Sequence, residues 1–187
     1  SEWNGGDDEG HEVINKLNQV FVDTIRGLGG NNPKRHLMIP TYAASSTDKA
    51  IRAMTIPAGD DKLIVSVHAY IPYNFALAEN GTAEWSDDAP SCTQEMDNLF
   101  STLKTTFIDK GTPVIIGEMG AVSRDNNAVR AEWSKYYISH AKAAGIPCIW
   151  WDNGTYLGGD NAFGLLSRKS CRWIYRDVVD GLMEGLK

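Results

Sequence analysis

Glu118 ends an apolar run of strand length, Pro113-Val-Ile-Ile-Gly-Glu-Met-Gly120, with Gly117 and Gly120 on either side of the carboxylate. A run of Val and Ile without alternation reads as a strand buried on both faces of a parallel sheet. Such sheets keep their chemistry at the carboxyl ends of the strands. An unpaired carboxylate buried there would be costly, so Glu118 must face a polar cleft or a partner. Two readings fit: a catalytic acid, or a structural glutamate that caps a helix or closes an ion pair. Two further strand ends carry groups able to work with a carboxylate. Leu63-Ile-Val-Ser-Val-His-Ala-Tyr70 ends in His68 and Tyr70, which lie two apart and so share a face. Pro147-Cys-Ile-Trp-Trp-Asp-Asn-Gly154 ends in adjacent indoles that point to opposite faces, followed by Asp152 and Asn153. A carboxylate, a His/Tyr pair and a Trp at three separate strand ends favour a site over three packing accidents.

The elements that position these groups are legible as a pattern. Val13, Ile14, Leu17, Val20, Phe21, Thr24, Ile25 and Leu28 fall at helical spacing, and Gly27, Gly29 and Gly30 supply the stop. A short strand, His36 to Tyr42, is followed by a helix around Asp48 to Met54 capped by Ser46 or Thr47. After the His68/Tyr70 strand and a polar loop from about Pro72 to Pro90, the residues Met96, Leu99, Phe100, Leu103 and Phe107 mark another helix. The Glu118 strand, a helix from Asn126 to Ala144, the strand Pro147 to Trp151 and a helix from Ser170 to Leu186 complete the series. Trp133 and Trp173 take helical positions that suit a core face, and Trp85 lies in the polar loop. Strands alternating with helices predict a parallel α/β sheet with right-handed crossovers, either open and doubly wound or part of a barrel.

Composition excludes several classes. A net charge of -6 with no Lys/Arg stripe argues against nucleic acid. No run of about 18 apolar residues suggests a membrane span, and no charged-then-apolar leader is visible, as in a mature secreted protein. Gly27-Leu-Gly-Gly30 closes a helix instead of following a strand, so it is not a nucleotide fingerprint, and no P-loop occurs. Cys92, Cys148 and Cys171 lack metal-ligand spacing and allow one disulfide without implying it. Cys148 in a strand and Cys171 in the last helix read as small buried hydrophobes. His11, His36, His68 and His140 are scattered, so neither a metal nor a cofactor is expected.

The segments Glu2-Trp-Asn-Gly-Gly6, Pro40-Thr-Tyr-Ala-Ala-Ser45, His68-Ala-Tyr70, Ile116-Gly-Glu-Met-Gly120 and Trp150-Trp-Asp-Asn-Gly154 together resemble family 5 glycoside hydrolases, most of all their endo-β-1,4-glucanase branch. The match runs the length of the chain in the right order. It implies a TIM (β/α)8 barrel in which the nucleophile ends strand seven, the position of Glu118. It also implies an absence, because the acid/base glutamate of the family sits in an Asn-Glu-Pro motif at the end of strand four, and this sequence holds no Asn-Glu-Pro. Residues 1–187 would then be the C-terminal half of the barrel, strands 5 to 8, as one half-barrel domain. Four parallel strands alone leave two open edges and a bare inner face. Such a half needs an N-terminal half-barrel as partner or, failing that, a second copy of itself.

Under the resemblance the expected activity is endo-acting hydrolysis of β-1,4-glucan, with the substrate outside the cell and the protein secreted. A retaining mechanism needs two carboxyl groups about 5 Å apart, one protonated and one ionised to attack the anomeric carbon. Glu118 would be the attacker, Tyr70 its hydrogen-bond donor, and His68 a donor to a sugar hydroxyl or to the acid/base. Trp151 would be the sugar platform and Trp150 would pack against helices, although the reverse assignment is open. Trp3 would line the leaving-group side and Asn153 would bind a sugar hydroxyl. Asp152, Glu79, Glu84 and Asp87 are poor substitutes for the missing acid, so the chain alone is expected to hydrolyse little or nothing. Two other classes compete: a non-catalytic carbohydrate-binding half-barrel that uses its Trp residues, and an unrelated open-sheet hydrolase. The second would need a Gly-x-Ser-x-Gly elbow, which is absent.

Overall fold

In the computed structural model, which describes residues 4–157 and 161–187, the four apolar runs become strands β1 (Leu37–Ser45), β2 (Leu63–His68), β3 (Val114–Met119) and β4 (Cys148–Trp150). They form one parallel sheet in chain order, β1-β2-β3-β4. Helices α1 (Asp8–Gly27), α2 (Asp48–Ala53), α3 (Tyr73–Ala76), α4 (Pro90–Thr106), α5 (Asn127–Ala143) and α6 (Arg176–Gly185) precede, link and follow them. Parallel neighbours need long crossovers, and the helices supply them. A small antiparallel pair, β5 (Leu166–Ser167) and β6 (Arg172–Trp173), stands before α6.

Two elements depart from the sequence reading. β1 runs on past Tyr42 because it bulges: Ala43 and Ala44 adopt φ 48° and 54°, and pairing jumps from Pro40↔Ser66 to Ser45↔His68. The last helix begins at Arg176 instead of Ser170. Ser170 resembles a cap in sequence, but its hydroxyl donates to Ser167 Oγ at 2.9 Å within the β5–β6 turn. Cys171 follows at φ 51°, which a helix interior does not accommodate. Cys171 is therefore exposed, not a buried hydrophobe, and Trp173 sits on β6 at 48% exposure, not on a helical core face. All three cysteines are free thiols.

The chain divides into two units, 1–68 with 101–116 and 69–100 with 117–187. In the first, α1 is capped by the Asp7 carboxylate, which accepts from Gly10 N at 2.8 Å, with acidic residues in its first turn. Val22 of this helix joins Leu37, Ile39 and Leu63 in the core, with Ile25, Met54 and Ile56 packed against them. The rest of its inward face is polar. Asn18 Nδ2 donates to the Pro40 carbonyl at 2.9 Å, Asn15 Nδ2 to Ala53 O at 2.9 Å, and His11 Nε2 lies 2.6 Å from Gly5 O. The apolar stripe legible in the sequence lies elsewhere on α1: Leu17 is 58% and Val20 61% exposed, with Val13, Phe21 and Leu28 exposed beside them. At its start the stripe borders an open cavity of about 370 Å³ with Ile14, Tyr42 and Ala43.

The second unit centres on α5. Trp133 is fully buried and its indole N–H donates to Ile71 O at 3.0 Å, while the Tyr137 hydroxyl donates to Ala69 O at 2.9 Å. Two side chains of one helix thus hold the carbonyls on either side of Tyr70. Phe75, Phe100 and Trp150 surround them in edge-on or tilted ring contacts. α6 approaches α5 so closely that a Cβ on Gly181 would stand 2.3 Å from the Ala131 carbonyl oxygen. Arg130 of α5 is also fully buried. Its Nε donates to Ala121 O at 3.1 Å and its guanidinium lies over the rings of Trp150 and Tyr175, at 5.8 and 5.1 Å. Burial pulls its pKa down to about 10, and its Nη2 has no partner among the described residues. Trp133→Ala should lower unfolding stability by roughly 3–5 kcal/mol, since it opens a cavity and orphans a buried carbonyl. A urea transition with an unchanged midpoint would refute this.

Candidate active site

Glu118 stands one residue before the end of β3, half-buried, and Tyr70 lies two residues beyond the end of β2. The Tyr70 hydroxyl donates to Glu118 Oε2 at 2.8 Å. The backbone is tied at the same level, with Ala69 N donating to Glu118 O at 2.9 Å. Burial first, then the bond to Glu118, pushes the Tyr70 phenol far above its ordinary pKa. It therefore stays protonated, a permanent donor to the carboxylate. The edge-on Phe163 ring, 5.6 Å away, fixes its plane. Gly120 leaves the room for this: a Cβ there would lie 3.2 Å from Phe163 and 3.6 Å from Trp150.

The paired indoles separate as their alternation requires. Trp150 is half-buried, donates its indole N–H to Phe163 O at 2.9 Å and packs on Trp133 at 6.2 Å. Trp151 leaves the strand with its backbone N–H bonded to Met119 O at 2.8 Å and its indole 43% exposed. Asn153 is exposed and works within its own loop, donating to Asn161 O at 2.6 Å and accepting from Thr155 N at 3.1 Å. His68 closes β2, half-buried, in the first unit. Trp3 lies outside the described residues. Trp85 is buried and its indole donates to Cys92 O at 3.1 Å.

Three contributors escaped the sequence reading. Trp133 and Tyr137 fix the backbone around Tyr70; the sequence showed only that Trp133 takes a helical position suited to a core face, and it did not single out Tyr137. Asp152, weighed in sequence only as a stand-in acid, is instead a saturated acceptor. One carboxylate oxygen takes Gly154 N at 2.8 Å and Arg168 Nη1 at 2.9 Å, and the other takes Leu165 N at 2.9 Å and Leu166 N at 3.1 Å. Burial raises its pKa, but the Leu165 N–H, the Arg168 guanidinium and the other backbone donors outweigh burial and hold the carboxyl below its usual range. The stability these bonds give is present above the ordinary aspartate pKa and is lost as pH falls through the depressed one. No group of three or more His, Cys, Asp or Glu among the described residues is arranged to hold a metal, and no described helix is long and apolar enough to cross a membrane.

Comparison with known proteins shows the family and the fold. The family model for cellulase, glycosyl hydrolase family 5, matches residues 1–157. Endoglucanase B of Neocallimastix patriciarum is 49% identical over 186 residues, covering 100% of this chain and 39% of that protein. A GH5-4 broad-specificity endoglucanase from Clostridium acetobutylicum superposes with a TM-score of 0.92 at 39% identity, over 97% of this chain and 54% of that one. The corresponding endoglucanase from Ruminococcus champanellensis, solved with cellotriose, gives 0.90 at 40% identity over 97% and 52% of the two chains. The chain thus spans about half the length of these relatives, or less. Its four strands and their helices make half of a (β/α)8 barrel. The chain belongs to glycosyl hydrolase family 5.

Proposed function

We propose that this chain is the nucleophile-bearing C-terminal half-barrel, residues 1–187, of a secreted endo-β-1,4-glucanase. The observation that carries the reading is the Tyr70 hydroxyl donating to the Glu118 carboxylate at 2.8 Å, at the carboxyl ends of neighbouring strands. Held by a donor that never ionises, the carboxylate keeps one oxygen oriented while its charge is directed at an incoming sugar. In the double displacement, Glu118 attacks the anomeric carbon as the glycosidic bond breaks. The acid/base glutamate, from the N-terminal half, protonates the leaving oxygen. It then takes a proton from the water that releases the glycosyl-enzyme. The exposed Trp151 face is the platform for the flat side of a glucosyl ring, with Trp3 on the leaving-group side. His68 and Asn153 complete the contacts to sugar hydroxyls, and Asn153 would exchange a loop bond for one to sugar.

The partner half is argued from surfaces within each unit. The α1 stripe in the first, and Ile149, Trp173, Met183 and Leu186 in the second, are exposed apolar residues with nothing among the described residues to cover them. The N-terminal half-barrel, on the same polypeptide or a separate one, fits that need, because it also brings the acid/base that this sequence lacks. An activated 2-deoxy-2-fluoro-cellobioside, incubated with the completed barrel, should add one fluoro-cellobiosyl unit to the peptide containing Glu118, detected by mass spectrometry. A label on another carboxylate, or sugar binding without labelling or turnover, would leave only a carbohydrate-binding half-barrel.

A further inference from the structure

We propose that Asp152 is a positioning residue that sets how Trp151 meets the sugar, a role that rests on the platform reading of Trp151 above. The Trp151 indole has neither a ring contact nor a side-chain hydrogen bond among the described residues, and it is 43% exposed. No ring contact or side-chain hydrogen bond among the described residues orients it. Its presentation is set by the backbone on either side. On one side its own N–H is fixed to Met119 O at 2.8 Å. On the other stands Asp152, whose carboxylate accepts four hydrogen bonds.

The bonds of Asp152 converge on one task. Two go to the returning strand at Leu165 and Leu166, one to Gly154 and one to Arg168. Arg168 Nη2 also donates to the Asp152 carbonyl at 3.1 Å, so a single guanidinium grips both side chain and backbone of the residue next to Trp151. Gly154, at φ 79°, makes this possible, because a Cβ there would lie 3.1 Å from Arg168 Nη1. The segment is closed again by Gly164 N to Thr155 O at 2.8 Å and by Trp150 Nε1 to Phe163 O at 2.9 Å. Only 18% of the Asp152 side chain is exposed, and both of its oxygens already carry two donors. It therefore has little acceptor capacity to spare for substrate and acts through the chain it holds.

The test is a double-mutant cycle on the completed barrel, reading KM and kcat for cellotetraose. Trp151→Ala and Asp152→Asn should each raise KM, the latter by about tenfold. Asp152→Asn added to Trp151→Ala should change KM by less than about twofold, because the residue it positions is gone. If Trp151→Ala leaves KM unchanged, the platform reading fails whatever Asp152 does. If Trp151→Ala raises KM and Asp152→Asn does not, or if the two effects simply add, the positioning role fails. Should Asp152→Asn not fold, Arg168→Gln at an exposed position takes its place in the same cycle, with Arg168→Lys expected to restore part of the lost affinity. An Arg168→Gln effect that persists undiminished beside Trp151→Ala overturns the inference as well.

Discussion

Glu118→Gln, introduced into the completed barrel, is expected to reduce glucan turnover by roughly ten-thousandfold or more, the scale of removing a nucleophile, while cellotriose binding stays within about threefold of the original. Glutamine keeps the volume of the side chain and an oxygen for the Tyr70 hydroxyl, so the 2.8 Å bond that orients the group survives. What disappears is the negative charge and the electron pair that, on the proposed assignment, attack the anomeric carbon. Turnover reduced only severalfold would show that another group carries the attack, and the assignment would fall.

The chain purified alone should hydrolyse β-1,4-glucan at least about a hundredfold more slowly than the same chain mixed with an N-terminal half-barrel bearing an Asn-Glu-Pro glutamate, since general-acid assistance has that worth. On the proposed division of roles, protonating the leaving oxygen falls to the other half. Tyr70 is too weak an acid to serve, because burial and the Glu118 carboxylate both favour its protonated form. Asp152 is too strong and too fully bonded, its carboxyl held ionised by the donors around it. Reducing-sugar release from a soluble glucan, measured before and after mixing the halves, gives the comparison. Equal rates with and without the partner would mean that an acid in this chain does the work. No gain on mixing, with a stable complex formed, would mean that the halves do not make one site.

The strands and the polar side chains at their ends were legible because both signals are local. An apolar run bounded by Gly and Pro becomes a strand wherever it lies, and alternation alone separates Trp150 from Trp151. The His68/Tyr70 pair and Glu118 could be read for the same reason. What sequence could not give was pairing across distance. That Trp133 and Tyr137 would donate to the carbonyls flanking Tyr70 depends on how deep α5 settles, which periodicity does not encode. Asp152 was rightly set aside as an acid, but its partners at Leu165, Leu166 and Arg168 could not be read because they return only after a loop. The end of the chain failed differently. Ser170 and a following periodic run imitate a capped helix, but the positive φ of Cys171 and the β5–β6 pairing take that segment first.

Helix α1 divides its two kinds of surface unusually. It is fastened within its own unit by directional bonds, from Asn18 to Pro40 of β1 and from Asn15 to Ala53 of α2, with His11 against Gly5, and by Val22 and Ile25 at the core, while its greasier side faces outward. Those bonds are made to residues of this chain, on β1 and α2, and not to a second half. The outward stripe then becomes a waiting surface. Until a partner arrives it is open to any other apolar surface in a crowded cell, and assembly becomes a race between the right encounter and clumping. Synthesis that delivers both halves together, with the stripe covered as it emerges, would decide that race before it began.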